Sequence, residues 1–214
     1  MPGILLPRSP IPDPRPLAYA VPMAATPSTM LDLGTPLPVF RLPDADGTVR
    51  SSDEVRGPRG LVVAFLCPHC PFVRHVRQEF ARFAREYQPR GVGVVAIMSN
   101  DVAAFPQDGP AGMKQEAQEV GYTFPYLFDE AQAVAKAFRA ACTPDLFLFD
   151  AARRLVYRGQ FDDARPGNNV PVTGHDLRAA ADALLSGVQV PAAQRPSIGC
   201  NIKWKAGNEP DYGG

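Results

Sequence analysis

The sequence lacks any charge imbalance: in 214 residues, 22 Lys and Arg meet 22 Asp and Glu, for a formal net charge of zero. Proteins that bind by neutralising phosphates carry a basic excess, so nucleic acid is not an expected partner. Long hydrophobic runs are missing too. The longest, Leu61 to Cys67, falls far short of the ~20 residues that span a bilayer, and no membrane partner is expected. Cysteine is scarce, with 4 in the chain, too few for a small fold stapled by disulfides. A chain of this length buries a full core without them. Four cysteines still suffice for a redox site, and their spacing decides.

Proline, by contrast, is plentiful. Pro2, Pro7, Pro10, Pro12, Pro14, Pro16, Pro22 and Pro27 crowd the start of the chain. Residues 1–30 therefore read as a Pro-rich disordered leader, with Met30 as an alternative start just before the first domain-like sequence. Pro7 breaks the only early apolar run, and Arg8 and Arg15 follow it instead of preceding it. That is not the order of a secretory signal, so a cytoplasmic location is expected. One domain is expected over 31–190, with an extension over 191–214 that packs back on it.

The pattern predicts a hairpin around Asp46-Gly47, then a strand buried on both faces at Leu61–Leu66. A helix follows, with Val73, Val76, Phe80, Phe83 and Tyr87 recurring at alternating spacings of three and four. Val92–Met98 is a second buried strand, and 111–120 a helix. Pro125–Phe128 is a short strand, with Asp129 as N-cap of a helix to Ala140. Leu146–Asp150 and Leu155–Arg158 should be antiparallel neighbours, and Gly174–Leu185 a closing helix. The order implies an α/β fold with a mixed sheet and helices on both sides.

Cys67-Pro68-His69-Cys70 stands where the first buried strand hands over to the first long helix. The positive end of that helix favours a thiolate at Cys67, and His69 adds a positive charge or a hydrogen bond. Two thiols at this spacing close a disulfide with little backbone movement. Cys67 is then the exposed low-pKa nucleophile and Cys70 the resolving thiol. A zinc half-site and a pair of inert core thiols are the competing readings. Zinc needs a second ligand pair, and Cys142, Cys200 and His175 are isolated in sequence. No metal is expected, and no bound cofactor is needed, since electrons come from another dithiol.

Strand, Cys-x-x-Cys and helix, with Thr143-Pro144 entering a late strand, resemble the thioredoxin-like fold. The leading hairpin and the extra strand and helix at 126–140 are similar to its redoxin branch, which holds thioredoxin-like peroxiredoxins and membrane-tethered thiol reductases. Ser99-Asn100-Asp101, Phe124-Pro125-Tyr126-Leu127, Thr143-Pro144-Asp145, Tyr157-Arg158-Gly159 and Ile198–Trp204 resemble a group of bacterial peroxiredoxin-like thioredoxin family proteins. The resemblance covers about residues 31–205. It implies a cis Pro144 facing the dithiol, with the Thr143 backbone pairing an extended substrate segment as a docking loop. It implies a thiol-disulfide oxidoreductase, with a peroxiredoxin-like antioxidant peroxidase and copper handling as alternatives. Partners would be protein or small-molecule disulfides and thiols, with a thioredoxin-type reductant. Two positions depart from the pattern. Ala64 stands where peroxiredoxins carry a peroxide-holding Thr, and Leu61 where thioredoxins carry a buried Asp.

Two further cysteines are candidate accessory thiols. Cys142, two residues before Pro144, is expected on the rim of the site. Ser197–Lys205 alternates strictly, with Ile198, Cys200, Ile202 and Trp204 on one face, which predicts an ordered extended segment with Trp204 mostly buried and Cys200 facing inward. Cys200 is either a small core residue or a third thiol that pairs with Cys142 or Cys67. Asp162-Asp163-Ala164-Arg165 reads as a solvated charged loop.

Overall fold

The computed structural model describes residues 25–212, and the leader expected over 1–30 lies outside them up to residue 24. A five-stranded sheet carries the fold, in the order β6-β5-β4-β8-β9. Its centre is β4 (Gly60–Phe65), parallel to β5 (Val92–Met98) and antiparallel to β8 (Asp145–Asp150). The edges are β6 (Tyr126–Phe128), parallel to β5, and β9 (Leu155–Gly159), antiparallel to β8. Leu61 to Phe65 are all at 0% exposure, as a continuous apolar run with helices on both faces requires.

The two faces sort by alternation. Val62 and Ala64 face the helices α1 (Pro71–Tyr87), α2 (Pro110–Val120) and α4 (His175–Leu185) through Phe80, Phe83, Met113 and Leu177. Leu61, Val63 and Phe65 face Phe40 and the short α3 (Ala133–Ala137) with Phe138. A hairpin of β2 (Arg41–Pro43) and β3 (Val49–Ser51) turns at Gly47, whose φ of 83° suits glycine. This is the thioredoxin-like arrangement of a mixed sheet flanked by helices that the sequence led us to expect.

The structure corrects the sequence in three places. Asp129 is not a helix N-cap: Gln132, at φ 60°, takes that position, and Arg139, at φ 49°, follows the end of α3 short of Ala140. The Asp129 carboxylate instead accepts the Ala135 N–H at 2.8 Å and the Ser99 hydroxyl at 3.0 Å. Second, residues 25–30 belong to the fold. β1 (Ala25–Pro27) pairs antiparallel with β10 (Ile198–Asn201), which pairs on its other edge with β7 (Cys142–Thr143). Third, β10 breaks the strict alternation: Ile198 is 37% exposed while Ser197 and Gly199 are buried, although Trp204, beyond the strand, is mostly covered as expected and packs on the core. The segment is a middle strand, so its neighbours on both edges, not one apolar face, decide what is covered. No helix among the described residues is long and apolar enough to cross a membrane.

Candidate active site

β4 ends at Phe65, and the chain turns through Cys67-Pro68-His69-Cys70 before α1 begins at Pro71. Proline suits the first helical position, because its missing N–H is one the helix would leave unpaired there. The N-cap is therefore Cys70, not Cys67, which lies a turn earlier; the Cys70 N–H donates to the Cys67 carbonyl at 3.4 Å. This corrects the placement of Cys67 at the helix N-terminus.

The opposite wall is Thr143, held by the cis Thr143-Pro144 bond. Its Oγ1 lies 3.3 Å from Cys67 Sγ, and its carbonyl accepts from the Cys70 thiol at 3.2 Å. A second contact comes from β10, where Cys200 Sγ is 2.9 Å from Cys70 Sγ. Cys142 sits one residue along β7 with its thiol aimed at the Pro144 carbonyl at 3.5 Å. All four cysteines are free and buried. Cys142 is thus a core residue at 0% exposure, not a rim residue, and its burial pushes its thiol up. Cys67, at 1%, is no more open than Cys70, at 0%.

Burial raises the Cys67 thiol, and the hydrogen bond and charge of Cys70 and the nearby Asp108 carboxylate raise it further. Burial also works to raise Cys70, but hydrogen bonds from Cys200, Cys67 and Thr143 outweigh it and carry the thiol below its usual value. The Thr143 carbonyl on the same sulfur favours the S–H form and limits that fall. In this resting arrangement the low-pKa sulfur is Cys70, the reverse of the expectation. Burial explains the high Cys67 thiol, and the hydrogen bonds that converge on Cys70 from Cys200, Cys67, Thr143 and the Val73 N–H explain the low one.

His69 is held from beneath by a residue the sequence did not single out. Asp108, in a 3-10 turn at Pro106–Asp108 and at 0% exposure, accepts from the His69 N–H at 3.1 Å and lies 2.5 Å from Nδ1. The Asn100 side-chain amide donates to the same Oδ2 at 2.8 Å. Phe105 stacks on the imidazole at 5.4 Å between centroids, 11° from parallel. Asp108 lies in an irregular loop with no periodicity to flag it; the one signal was Asn100, within the Ser99-Asn100-Asp101 segment. Sγ of Cys67, a ring nitrogen of His69 and a carboxylate oxygen of Asp108 all fall within 4.8 Å of one another. The short Nδ1 contact makes this a Cys-His-Asp arrangement in which the carboxylate orients the ring, and the same three atoms are a donor set a thiophilic metal would accept.

Of the remaining candidates, Asp162 is buried, not solvated: its Oδ2 accepts from the N–H groups of Thr173 and Gly174, both at 2.6 Å. His175 pairs with Asp176 at 2.8 Å on α4. Beside Pro144 a shallow depression is lined by Phe72, Val76, Gln160, Arg165 and Ile198.

The redoxin family profile matches residues 32–177. No curated protein matches the chain. Two solved structures are similar over most of its length. An uncharacterized conserved protein from Geobacillus kaustophilus is 53% identical, with a TM-score of 0.84, covering 86% of this chain and 97% of its own. A hypothetical protein from Sinorhizobium meliloti is 54% identical, with a TM-score of 0.83, covering 85% and 99%. A candidate thiol:disulfide interchange protein DsbE from Chlorobium tepidum is 21% identical, with a TM-score of 0.58, covering 72% and 99%; that likeness is one of fold.

Proposed function

The chain belongs to the redoxin family, whose members carry out thiol-based redox chemistry, and we propose that within it this protein is a thiol-disulfide oxidoreductase working through Cys67 and Cys70. The observation that carries this reading is Thr143 spanning both sulfurs, with its hydroxyl at Cys67 and its carbonyl at Cys70.

Cys67 is the attacking sulfur. A proton shift along its hydrogen bond to Cys70 moves the negative charge between them, and the oriented His69 ring offers a second proton acceptor. The Cys67 thiolate attacks one sulfur of a substrate disulfide, forming a mixed disulfide and expelling a substrate thiolate. Cys70 then attacks Cys67 Sγ, releasing the second substrate thiol and leaving a Cys67–Cys70 disulfide for an external dithiol, such as a thioredoxin-type reductant, to reduce. The same steps reversed oxidise a dithiol substrate. Pro144 and Thr143 line the substrate-docking side of the dithiol, beside the depression at Phe72 and Ile198, while the Thr143 backbone itself pairs with Cys200 of β10. No bound cofactor enters the cycle. We place it in the cytoplasm, where thiol pools keep such dithiols reduced.

The test is a direct comparison on the full chain. Reduction of a protein disulfide should proceed with turnover, be lost in Cys67→Ser, and outpace hydrogen peroxide consumption. A peroxide rate that exceeds disulfide turnover and is lost in Cys67→Ser would transfer the assignment to a peroxidase. Stoichiometric copper or zinc after purification under reducing conditions, lost in Asp108→Ala, would transfer it to a metal-handling protein.

A further inference from the structure

Nothing in the two-cysteine cycle calls for β10, yet β10 is fitted closely against it. Its register sets Cys200 opposite Thr143 and Asn201 opposite Cys142, while β1 closes its other edge with Ala25 opposite Cys200. A Cβ on Gly199 would lie 2.0 Å from the Thr143 carbonyl oxygen, so the approach needs a glycine. Beyond the strand, the Ile202 N–H donates to the Ala141 carbonyl at 3.1 Å, and the Lys203 N–H to Asn100 Oδ1 at 2.9 Å. The backbone edge of Thr143, expected to receive a substrate segment, is already taken by the chain's own strand.

That strand delivers a thiol. Cys200 Sγ is 2.9 Å from Cys70 Sγ, against about 2.05 Å in a disulfide. Of the two partners anticipated from sequence, Cys142 aims its sulfur at Pro144 and Cys67 has its sulfur against the Thr143 hydroxyl.

We propose that β10 is a built-in substrate strand and Cys200 a third redox thiol, which converts the Cys67–Cys70 disulfide into a Cys70–Cys200 disulfide. The proposal rests on the dithiol reading above. The Cys200 thiolate attacks Cys70 Sγ; the Cys70–Cys200 bond forms, the Cys67–Cys70 bond breaks, and Cys67 leaves as a thiolate that takes up the proton Cys200 gave up. One disulfide and one thiol stand on each side of the exchange. The oxidising equivalents are those of the substrate disulfide consumed in the preceding step. The product ties β10 covalently to the N-cap of α1, adding a bond to the strand pairing that already covers the Thr143 edge in the reduced chain.

The experiment titrates the reduced full chain with oxidised glutathione, quenches with acid, alkylates free thiols and maps disulfides by non-reducing peptide analysis. Wild type, Cys67→Ser and Cys200→Ala are compared. A Cys70–Cys200 linkage is expected in wild type and as the sole internal linkage in Cys67→Ser. Cys200→Ala should lose it and retain Cys67–Cys70. If Cys67–Cys70 forms in wild type while Cys200 stays free in both wild type and Cys67→Ser, the third-thiol role is overturned and the dithiol reading stands. If Cys200 links to Cys142, the third-thiol role is overturned as well. Absence of Cys67–Cys70 from all proteins, Cys200→Ala included, overturns the dithiol reading and this proposal with it.

Discussion

The Asp108 carboxylate and the His69 imidazole meet at 2.5 Å, with the carboxylate wholly buried and the ring partly open to solvent. The pair fixes which ring nitrogen faces inward, and the carboxylate's charge is one of the influences holding the Cys67 thiol up. Replacing the charge while keeping the shape separates these effects. In Asp108→Asn the midpoint of the Cys67 alkylation rate against pH should fall. The lost charge-assisted hydrogen bonds should cost about 1–3 kcal/mol of stability. An upward or unchanged midpoint would refute the assigned influence of Asp108 on Cys67.

Thr143 acts in the opposite direction. Its hydroxyl lies 3.3 Å from Cys67 Sγ and favours the thiolate there. Thr143→Val removes that partner and should slow alkylation of Cys67 near neutral pH. Labelling of Cys67 as fast as in wild type would show that the hydroxyl does not serve the sulfur.

Asp145 makes stability depend on pH. It follows Pro144, lies at 0% exposure, and is pushed up to about 7 by burial; its Oδ1 has no hydrogen-bond partner among the described residues. A carboxyl raised in the folded state binds its proton there between about pH 4 and 7 while the unfolded chain has released it. Stability from this group therefore falls as pH rises through that window, and the cost is fully present above it. Asp145→Asn should flatten the fall and stabilise the protein at pH 8 by on the order of 1–3 kcal/mol. Urea midpoints at pH 5 and pH 8 check this; equal pH slopes for wild type and variant would contradict it.

Gly199 sets the closeness of β10 to the dithiol wall. Gly199→Ala places a methyl group 2.0 Å from the Thr143 carbonyl oxygen, and the strand must move. We expect about 1–3 kcal/mol of destabilisation and faster alkylation of both Cys70 and Cys200, read by timed labelling and peptide mapping. Unchanged labelling at both sulfurs would mean that β10 does not screen them.

Much of the fold was legible because it is written in local patterns. Leu61–Leu66 is uninterrupted apolar sequence, and α1 repeats its apolar positions at helical spacing. The cis bond, and Thr143 lying against the dithiol, followed from a resemblance carried by Thr143-Pro144. What was illegible depends on distance or on backbone. Asp108 is separated from His69 by 39 residues and has no period to announce it. β1 sits at the end of a proline-rich stretch whose composition reads as disorder, yet its pairing uses backbone groups that composition does not report. The alternation at 197–205 correctly signalled an extended segment but misassigned its faces, because it assumed one buried side where β10 has two strand neighbours. The Cys67 thiolate failed first because the fold buries that sulfur, which no local pattern reports, and also because the helix starts at Pro71 and leaves the N-cap position to Cys70.

The pairing of β1, β10 and β7 has a consequence for the newborn chain. The central sheet is complete once β9 has emerged from the ribosome, and α4 follows it. At that stage Cys67 and Cys70 already stand at the end of β4, but the strand that covers Thr143 has not been made. Synthesis runs from the N-terminus, so a growing chain carries its dithiol without β10 until residue 201 is synthesised and clears the tunnel. For that interval the protein is most open to the thiols and disulfides around it, and docking of the last strand ends its first exposure to them.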